Sequence, residues 1–274
     1  MTAGTARADT MPTVRRDTES LRMLVPQTLI HTKRLLLRWY RDPLTVMQAL
    51  VFPALLLVML NSVLGKQVSS FAGDNALYGS VPMIALVSVM SGSLAGAVTL
   101  GRERGEGLLA RFWVLPVHRA SGLLSRIVAE GVRIVLCTLV IFAVGVALGF
   151  RFTQGPLAAL ALFAVPLVYG LAFATMVTAL AVYTAKAALV EGVSLGSSML
   201  MFFSTGFVPL TAYPAWAKPI VANNPLTHAI DTMRGLALGG PIGAPLLATL
   251  AWSLGAMALF ALPAAYGFRR ASRY

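Results

Sequence analysis

Six stretches of about 20 residues run with few or no charges, the length a helix needs to cross a hydrocarbon core about 30 Å thick. They lie near 44 to 64, 81 to 100, 132 to 150, 157 to 182, 192 to 210 and 244 to 267. In lipid every backbone polar group must be satisfied within the segment, so these stretches have to be helices. The rest of the composition agrees. Apolar residues make up 57% and charged residues 12% of the 274-residue chain, and the mean hydropathy is +0.77. So little charge cannot coat a soluble domain of this size, whereas lipid-facing helices need no coat. The expected class is an all-α integral membrane protein with six transmembrane helices, occupying residues 20 to 274 after a disordered tail over 1 to 19.

Lys and Arg outnumber Asp and Glu 22 to 10, and where they sit explains why. If both termini are cytoplasmic, 18 of the 22 fall in inner segments, leaving Lys66, Arg151, Lys218 and Arg234 outside. This satisfies the positive-inside rule, so the net charge of +12 needs no nucleic acid. A cleavable signal peptide would place its apolar region earlier than residue 44, so the first span is expected to stay. The lone Cys137 excludes an intramolecular disulfide. Gly92 with Gly96, Gly145 with Gly149 and Gly192 with Gly196 recur at four-residue intervals and suggest close helix packing. Pro53, Pro166 and Pro263 interrupt spans, which neighbouring helices must compensate.

Three segments outside the spans carry pattern. Residues 20 to 42 alternate with helical period: Leu29, Leu36 and Trp39 favour one side and Lys33, Arg34, Arg38 and Arg41 another. Such a helix lies in a membrane surface and contacts lipid. The loop over 101 to 126 mixes Arg102, Glu103, Arg104 and Glu106 with Leu109, Phe112 and Trp113 at near-helical spacing, up to Pro116. That is the composition of a protein contact. After the fifth span comes a stretch too polar to cross and too apolar for a free loop, which should fold back into the outer leaflet. There Tyr213 and Trp216 suit an interfacial belt, Pro214 and Pro225 the first turns of short helices, and Asp231 can pair with Arg234.

No catalytic constellation emerges. The only Gly-Lys pair, Gly65 and Lys66, lacks the first glycine of a phosphate-binding loop, since Leu60 stands there. Energy must therefore come from another chain. An ion-coupled carrier would show a titratable residue deep in a span; Glu130, Arg133 and Glu191 read instead as inner-end residues, with Arg126 pairing Glu130. An ion-coupled carrier of hydrophobic compounds and a membrane scaffold that only tethers an ATPase remain the alternatives.

The loop GRERGEGLLARFWVLPVHR, followed after two more spans by PLTAYPAWAKPIVANNPLTHAIDTMRGLALGG, resembles the ABC-2 type permease family, closest to its daunorubicin-resistance type, which includes mycobacterial lipid and drug export permeases. The resemblance covers roughly residues 20 to 270, and NPLT…D…MRG is its most specific part. It implies a non-catalytic exporter subunit in a bacterial cytoplasmic membrane. Its partners would be a second permease, alike or different, and two copies of a cytoplasmic ATPase that binds ATP and Mg. By the family pattern, Glu103 to Trp113 would be the coupling helix, residues 20 to 42 the interface helix, and Pro214 to Leu238 an external re-entrant helical pair. The cargo would be a hydrophobic drug or complex lipid, and spans 2 and 5 would line its path, with Met199, Met201, Phe202 and Phe203 as candidate contacts.

Overall fold

A computed structural model describes residues 21–72, 75–105, 121–183 and 187–271. All regular structure among them is helical. In chain order the helices are α1 (Leu21–Arg41), α2 (Pro43–Val46), a π-helical turn (Met47–Val51), α3 (Phe52–Ala72), α4 (Leu77–Gly105), α5 (Ser121–Leu148), α6 (Gly155–Tyr183), α7 (Ala187–Phe202), a 3-10 turn (Leu210–Ala212), α8 (Lys218–Ala222), α9 (Pro225–Leu238) and α10 (Gly243–Ala271). Five stretches among the described residues are long and apolar enough to cross a membrane: Pro43–Val63, Leu77–Glu103, Leu124–Leu148, Gly155–Tyr183 and Gly243–Gly267. The chain is an all-α integral membrane protein.

α4 sits at the centre, packed against α3, α5, α6, α7 and α9, while α10 covers α6. The core is built from Val81, Met83, Ile84, Leu86 and Met90 of α4, Ile141 and Phe142 of α5, Leu162 and Val177 of α6, and Leu226, Ile230 and Met233 of α9. Peripheral helices turn large apolar side chains outward, among them Leu55, Met59, Leu139, Trp252, Leu259 and Leu262. Surface of that kind at membrane depth is what lipid or another helix covers.

The start of the first crossing shows how sequence dictates local form. Asp42 caps α2: its carboxylate accepts from Thr45 Oγ1 at 2.6 Å and Thr45 N at 3.4 Å. Those two hydrogen bonds, the hydroxyl's first, hold the Asp42 carboxyl below its ordinary range. Pro43 follows at the first helical position, where a missing N–H costs nothing. Pro53 then lies inside the helix, and its absent N–H strips the carbonyl four residues earlier, Ala49, of its partner. The helix widens there into the π turn, and Ser88 Oγ of α4 donates to that buried carbonyl. A neighbouring helix compensates the proline, as expected.

Three expectations need correcting. The fifth apolar stretch, expected to span 192 to 210, is a helix only through Phe202 and is followed by a turn over 203–207. Its 16 residues reach about 24 Å at roughly 1.5 Å per residue. The turn is enforced by Gly206, where any Cβ would overlap Met83, and by side chains that take up the helix-end carbonyls. Second, α5 is already helical at Ser121, and its stretch long and apolar enough to cross is Leu124–Leu148 where 132 to 150 was expected; Ser121, Ser125 and Ala129 are buried. Glu130 and Arg133 thus lie inside a helix, not at its end. Third, Gly92 serves no backbone contact: a Cβ there would overlap the Arg133 guanidinium. Gly96, Gly192 and Gly196 have no atom within 4 Å of where a Cβ would stand, whereas a Cβ at Gly145 would come within 2.9 Å of Val81, so that glycine does pack tightly.

Candidate functional site

Three polar clusters sit in this apolar bundle. The first lies at its arginine-rich end. α1 packs along α5 through buried Thr28 and Thr32, and Thr32 Oγ1 donates to Ser125 O at 3.3 Å. This sets Arg38 over the last turn of α4, where its Nη1 lies 2.6 Å from Glu103 Oε1. Arg126 of α5 takes the other oxygen, Glu103 Oε2. The Glu103 side chain is only 4% exposed, so the carboxylate is spent within the chain. The expected pairing of Arg126 with Glu130 is corrected, since each has another partner.

The predicted surface residues separate at this end. Leu36 and Trp39 are half-buried, while Lys33, Arg34, Arg102 and Leu29 are exposed. Leu29 stands with Val25, Ile30, Leu37 and Tyr40 as apolar surface beside basic residues, the mixture a membrane interface accepts. Glu106, Leu109, Phe112 and Trp113 lie outside the described residues, as does the side chain of Arg104.

A second cluster lies within the bundle. Arg133 of α5 donates from Nε to Glu130 Oε2 at 3.1 Å and from Nη2 to Glu130 Oε1. Nη2 also reaches Ser93 Oγ at 3.1 Å and Val89 O at 3.4 Å on α4. Ser93 Oγ lies within reach of both Val89 O and Glu130 Oε1 and gives its proton to one of them. Arg133 Nη1 is buried without a hydrogen-bond partner among the described residues. Sequence reasoning placed these residues at a helix end; the signal it passed over was two opposite charges three apart, facing Ser93 and a glycine with room for a guanidinium.

The third cluster is at the opposite end, and it explains the NPLT…D…MRG segment. Asn224 caps α9, its side-chain oxygen accepting from Leu226 N at 2.9 Å, with Pro225 at the first helical position. Its Nδ2 meanwhile donates to Leu200 O at 2.7 Å and Phe203 O at 2.6 Å, two carbonyls at the end of α7. Tyr213 Oη lies 3.0 Å from Phe202 O and 2.9 Å from Ser204 O. Arg234 Nη2 donates to Thr205 O at 2.8 Å and Nη1 reaches Asp231 at 3.4 Å. Asp231 in turn accepts from Thr205 Oγ1 at 2.8 Å. Burial pushes the Asp231 carboxyl above its ordinary value, against the pull of Thr205, Arg234 and His228. The broken end of α7 thus finds its partners in the segment that follows it.

α9 is held at its other end too. Gln154 Nε2 donates to Leu238 O at 3.0 Å and Thr153 N to Ala237 O at 3.3 Å. Gly239, at φ +83°, turns the chain where a Cβ would overlap Gln154. Pro214 opens a turn, and the short helix it was expected to begin starts at Lys218. Trp216 is exposed and meets Phe203 edge-on at 6.2 Å. Of the candidate path residues, Met199 and Phe202 are exposed, and Met201 and Phe203 half-buried. Asn224 and Thr205 were missed by sequence reasoning, although Asn-Pro is a helix-start signal that points to the first.

Comparison with known proteins agrees with this architecture. Residues 26–238 match the ABC-2 type transporter family model. A Mycobacterium tuberculosis protein named "Probable doxorubicin resistance ABC transporter permease protein DrrC" is 50% identical over 253 residues, covering 92% of each chain. The Streptomyces coeruleorubidus "Daunorubicin resistance ABC transporter permease protein DrrB1" is 26% identical over 218 residues, 78% of this chain and 76% of that one. Such permeases work with an ATPase and a second permease, so the crossing helices and their polar ties are the frame of a larger assembly. The chain belongs to the ABC-2 type transporter family, as a transmembrane permease subunit of an ABC exporter.

Proposed function

We propose that this permease exports hydrophobic drugs such as doxorubicin and daunorubicin, the two that appear in its relatives' names, through a lateral path that it forms with a second permease. Two cytoplasmic ATPase subunits, which bind ATP and Mg, drive it. Both termini face the cytosol, and α7 makes the sixth crossing: it starts four residues after Tyr183, which packs beside Gly267 of α10, and ends at Phe202, four residues before Gly206, which meets Gly79 of α4. The arginine-rich end is then cytosolic. Residues 103 to 113 supply the ATPase contact, α1 lies in the inner membrane surface, and the segment from Pro214 to Leu238 folds back into the outer leaflet beside the exit.

The observation that carries the transport path is the outer face of α7. Gly192, Ser194, Leu195, Gly196, Ser198, Met199 and Phe202 are all exposed, and the adjacent α4 adds Gly96, open on its own side. Small residues with scattered apolar ones let a second helix or a flat apolar cargo approach closely. The rival ion-coupled reading gains one feature, the Glu130–Arg133 pair within α5, but that pair is closed on itself and on Ser93.

Transport assays separate the two. In inside-out vesicles carrying this chain, its second permease and the ATPase, ATP should drive doxorubicin accumulation that a proton uncoupler leaves intact. An ATPase variant without its phosphate-binding lysine should reduce accumulation to background. Accumulation that survives that variant and collapses with the uncoupler would establish the carrier instead.

A further inference from the structure

We infer that Asp231 is the counter-ion for a protonated amine on the cargo, at the outer end of α7, so that the permease selects flat hydrophobic molecules carrying one positive charge over their neutral analogues. This rests on the reading of the chain as an exporter of such drugs, and names the chemistry that its exit recognises. Among the described residues Asp231 is the one carboxylate at this end. Its two oxygens are unequally used. Oδ1 accepts from Thr205 Oγ1 at 2.8 Å and lies 3.4 Å from Arg234 Nη1. Arg234 puts its shorter bond, 2.8 Å, on Thr205 O and so does not close on the carboxylate. Oδ2 accepts nothing from the described residues, and the side chain is 34% exposed. One carboxylate oxygen is therefore open to a donor from outside the chain.

Charge and shape around that oxygen fit an aromatic cation. Arg234 and His228, both on α9, are the charged or titratable groups that act on Asp231, and the turn over 203–207 brings the Thr205 hydroxyl. Of the helices packed against α9, α8 adds the exposed Lys218, while α4, α6 and α10 carry no charged residue in their outer halves. Even against the pull of Thr205, Arg234 and His228, burial holds the carboxyl above its ordinary value. The ionised form is thus short of positive partners and gains from one more. An ammonium has three N–H donors and can reach Oδ2 without displacing Thr205, giving a charge-assisted hydrogen bond. Rings stand close by in the chain. Thr205 follows the exposed Phe202 by three residues, and Trp216, also exposed, meets Phe203 edge-on at 6.2 Å. Such rings take the apolar part of a flat molecule, and their quadrupole attracts its charge. Doxorubicin and daunorubicin, the drugs in the relatives' names, are fused-ring aromatics with one primary amine. Asp231 is thereby a specificity-determining residue at the end of the helix whose outer face carries the proposed path.

The test measures binding to the purified full-length permease by equilibrium dialysis, with doxorubicin and with its analogue in which a hydroxyl replaces the amine. Asp231→Asn keeps an acceptor for Thr205; it should weaken doxorubicin binding on the order of tenfold, the size of one charge-assisted hydrogen bond, and close the gap between the two compounds. Asp231→Glu should restore part of the preference. The unaltered protein gives a second reading that no folding defect can imitate. The amine needs the ionised carboxylate, so its binding should be lost as pH falls through the Asp231 titration, which burial places above that of an ordinary aspartate, while binding of the analogue stays level. Histidine also gains charge on acidification, so the loss belongs to Asp231 only if it is absent from Asp231→Asn. Equal binding of the two compounds by the unaltered protein, equal weakening of both in Asp231→Asn, or an acid loss that persists in that variant would each overturn the counter-ion. Vesicle transport separates this result from the reading beneath it. An amine preference that depends on Asp231, without ATP-driven accumulation of doxorubicin, would bring down the export reading and leave the site standing. ATP-driven accumulation with binding indifferent to Asp231 would bring down the site and leave export standing.

Discussion

Alanine at Gly92 is expected to remove most of the folded protein from the membrane. A Cβ at that position would overlap the Arg133 guanidinium, and the bonds that hold Arg133 oppose its moving aside. It is 5% exposed and bound to Glu130, Ser93 and Val89 O at once. Either α4 and α5 separate, which opens the centre of the core, or the guanidinium leaves its carboxylate. Breaking a buried ion pair costs about 3 to 5 kcal/mol because a charge is left without compensation, against a total stability of about 5 to 15 kcal/mol for a typical domain. The melting temperature and monodisperse yield in detergent check this directly. Removing the charges from both partners should recover much of the loss, since replacing a buried pair with neutral groups is often close to neutral. The combination Gly92→Ala, Glu130→Gln, Arg133→Gln is therefore expected to be more stable than Gly92→Ala alone. A Gly92→Ala protein as stable as the parent would mean that Arg133 does not occupy this position.

Asn224→Ala should have the second largest effect, and it acts at the opposite end. One side chain there does two jobs: its oxygen caps α9 and its nitrogen closes two carbonyls of α7. Loss of an N-cap costs about 0.5 to 2 kcal/mol, and an orphaned buried acceptor about 1 to 3 kcal/mol, so a loss of about 3 kcal/mol is expected. Asp in its place retains the cap but not the donor, and should fall between Asn and Ala. Melting temperatures of the three proteins test the order Asn above Asp above Ala. Equal values for Asp and Ala would assign the whole effect to the α7 carbonyls, and equal values for Asn and Asp would assign it to the cap.

The sequence was most legible where lipid imposes the rule. Backbone satisfaction within each span gave the helices at 155–183 and 243–271 nearly to their ends and placed spans inside those at 43–72 and 77–105, which run on for several residues, because no alternative structure survives in hydrocarbon. It was misleading where side chains answer the backbone from far along the chain. Phe203, Ser204 and Thr205 continue an apolar run and read as helix, yet Asn224, Tyr213 and Arg234 take up their carbonyls and let the chain turn. The partners lie 9 to 29 residues away in sequence, beyond the reach of any local periodicity. Charge was legible in amount but not in role. The arginines that mark one end were counted correctly, but their pairing was not. Arg126 and Glu130 are four apart and could have met on α5, yet Glu103, fixed by the end of α4, takes the first and leaves the second to Arg133. Likewise Gly92 and Gly96 share a helix face, but only the three-dimensional position of Arg133 tells why one is needed and the other stands open.

The account depends on the arginine-rich end lying in the cytosol, where an ATPase can reach residues 106 to 120. Cys137 is the only native thiol and is buried, so Cys137→Ser gives a background without cysteine. A single cysteine placed at Trp113 in that background can then be probed in living cells with a membrane-impermeant maleimide. The account predicts no labelling in intact cells and full labelling once the membrane is permeabilised. Full labelling in intact cells would put this end outside, away from any ATP, and would contradict it.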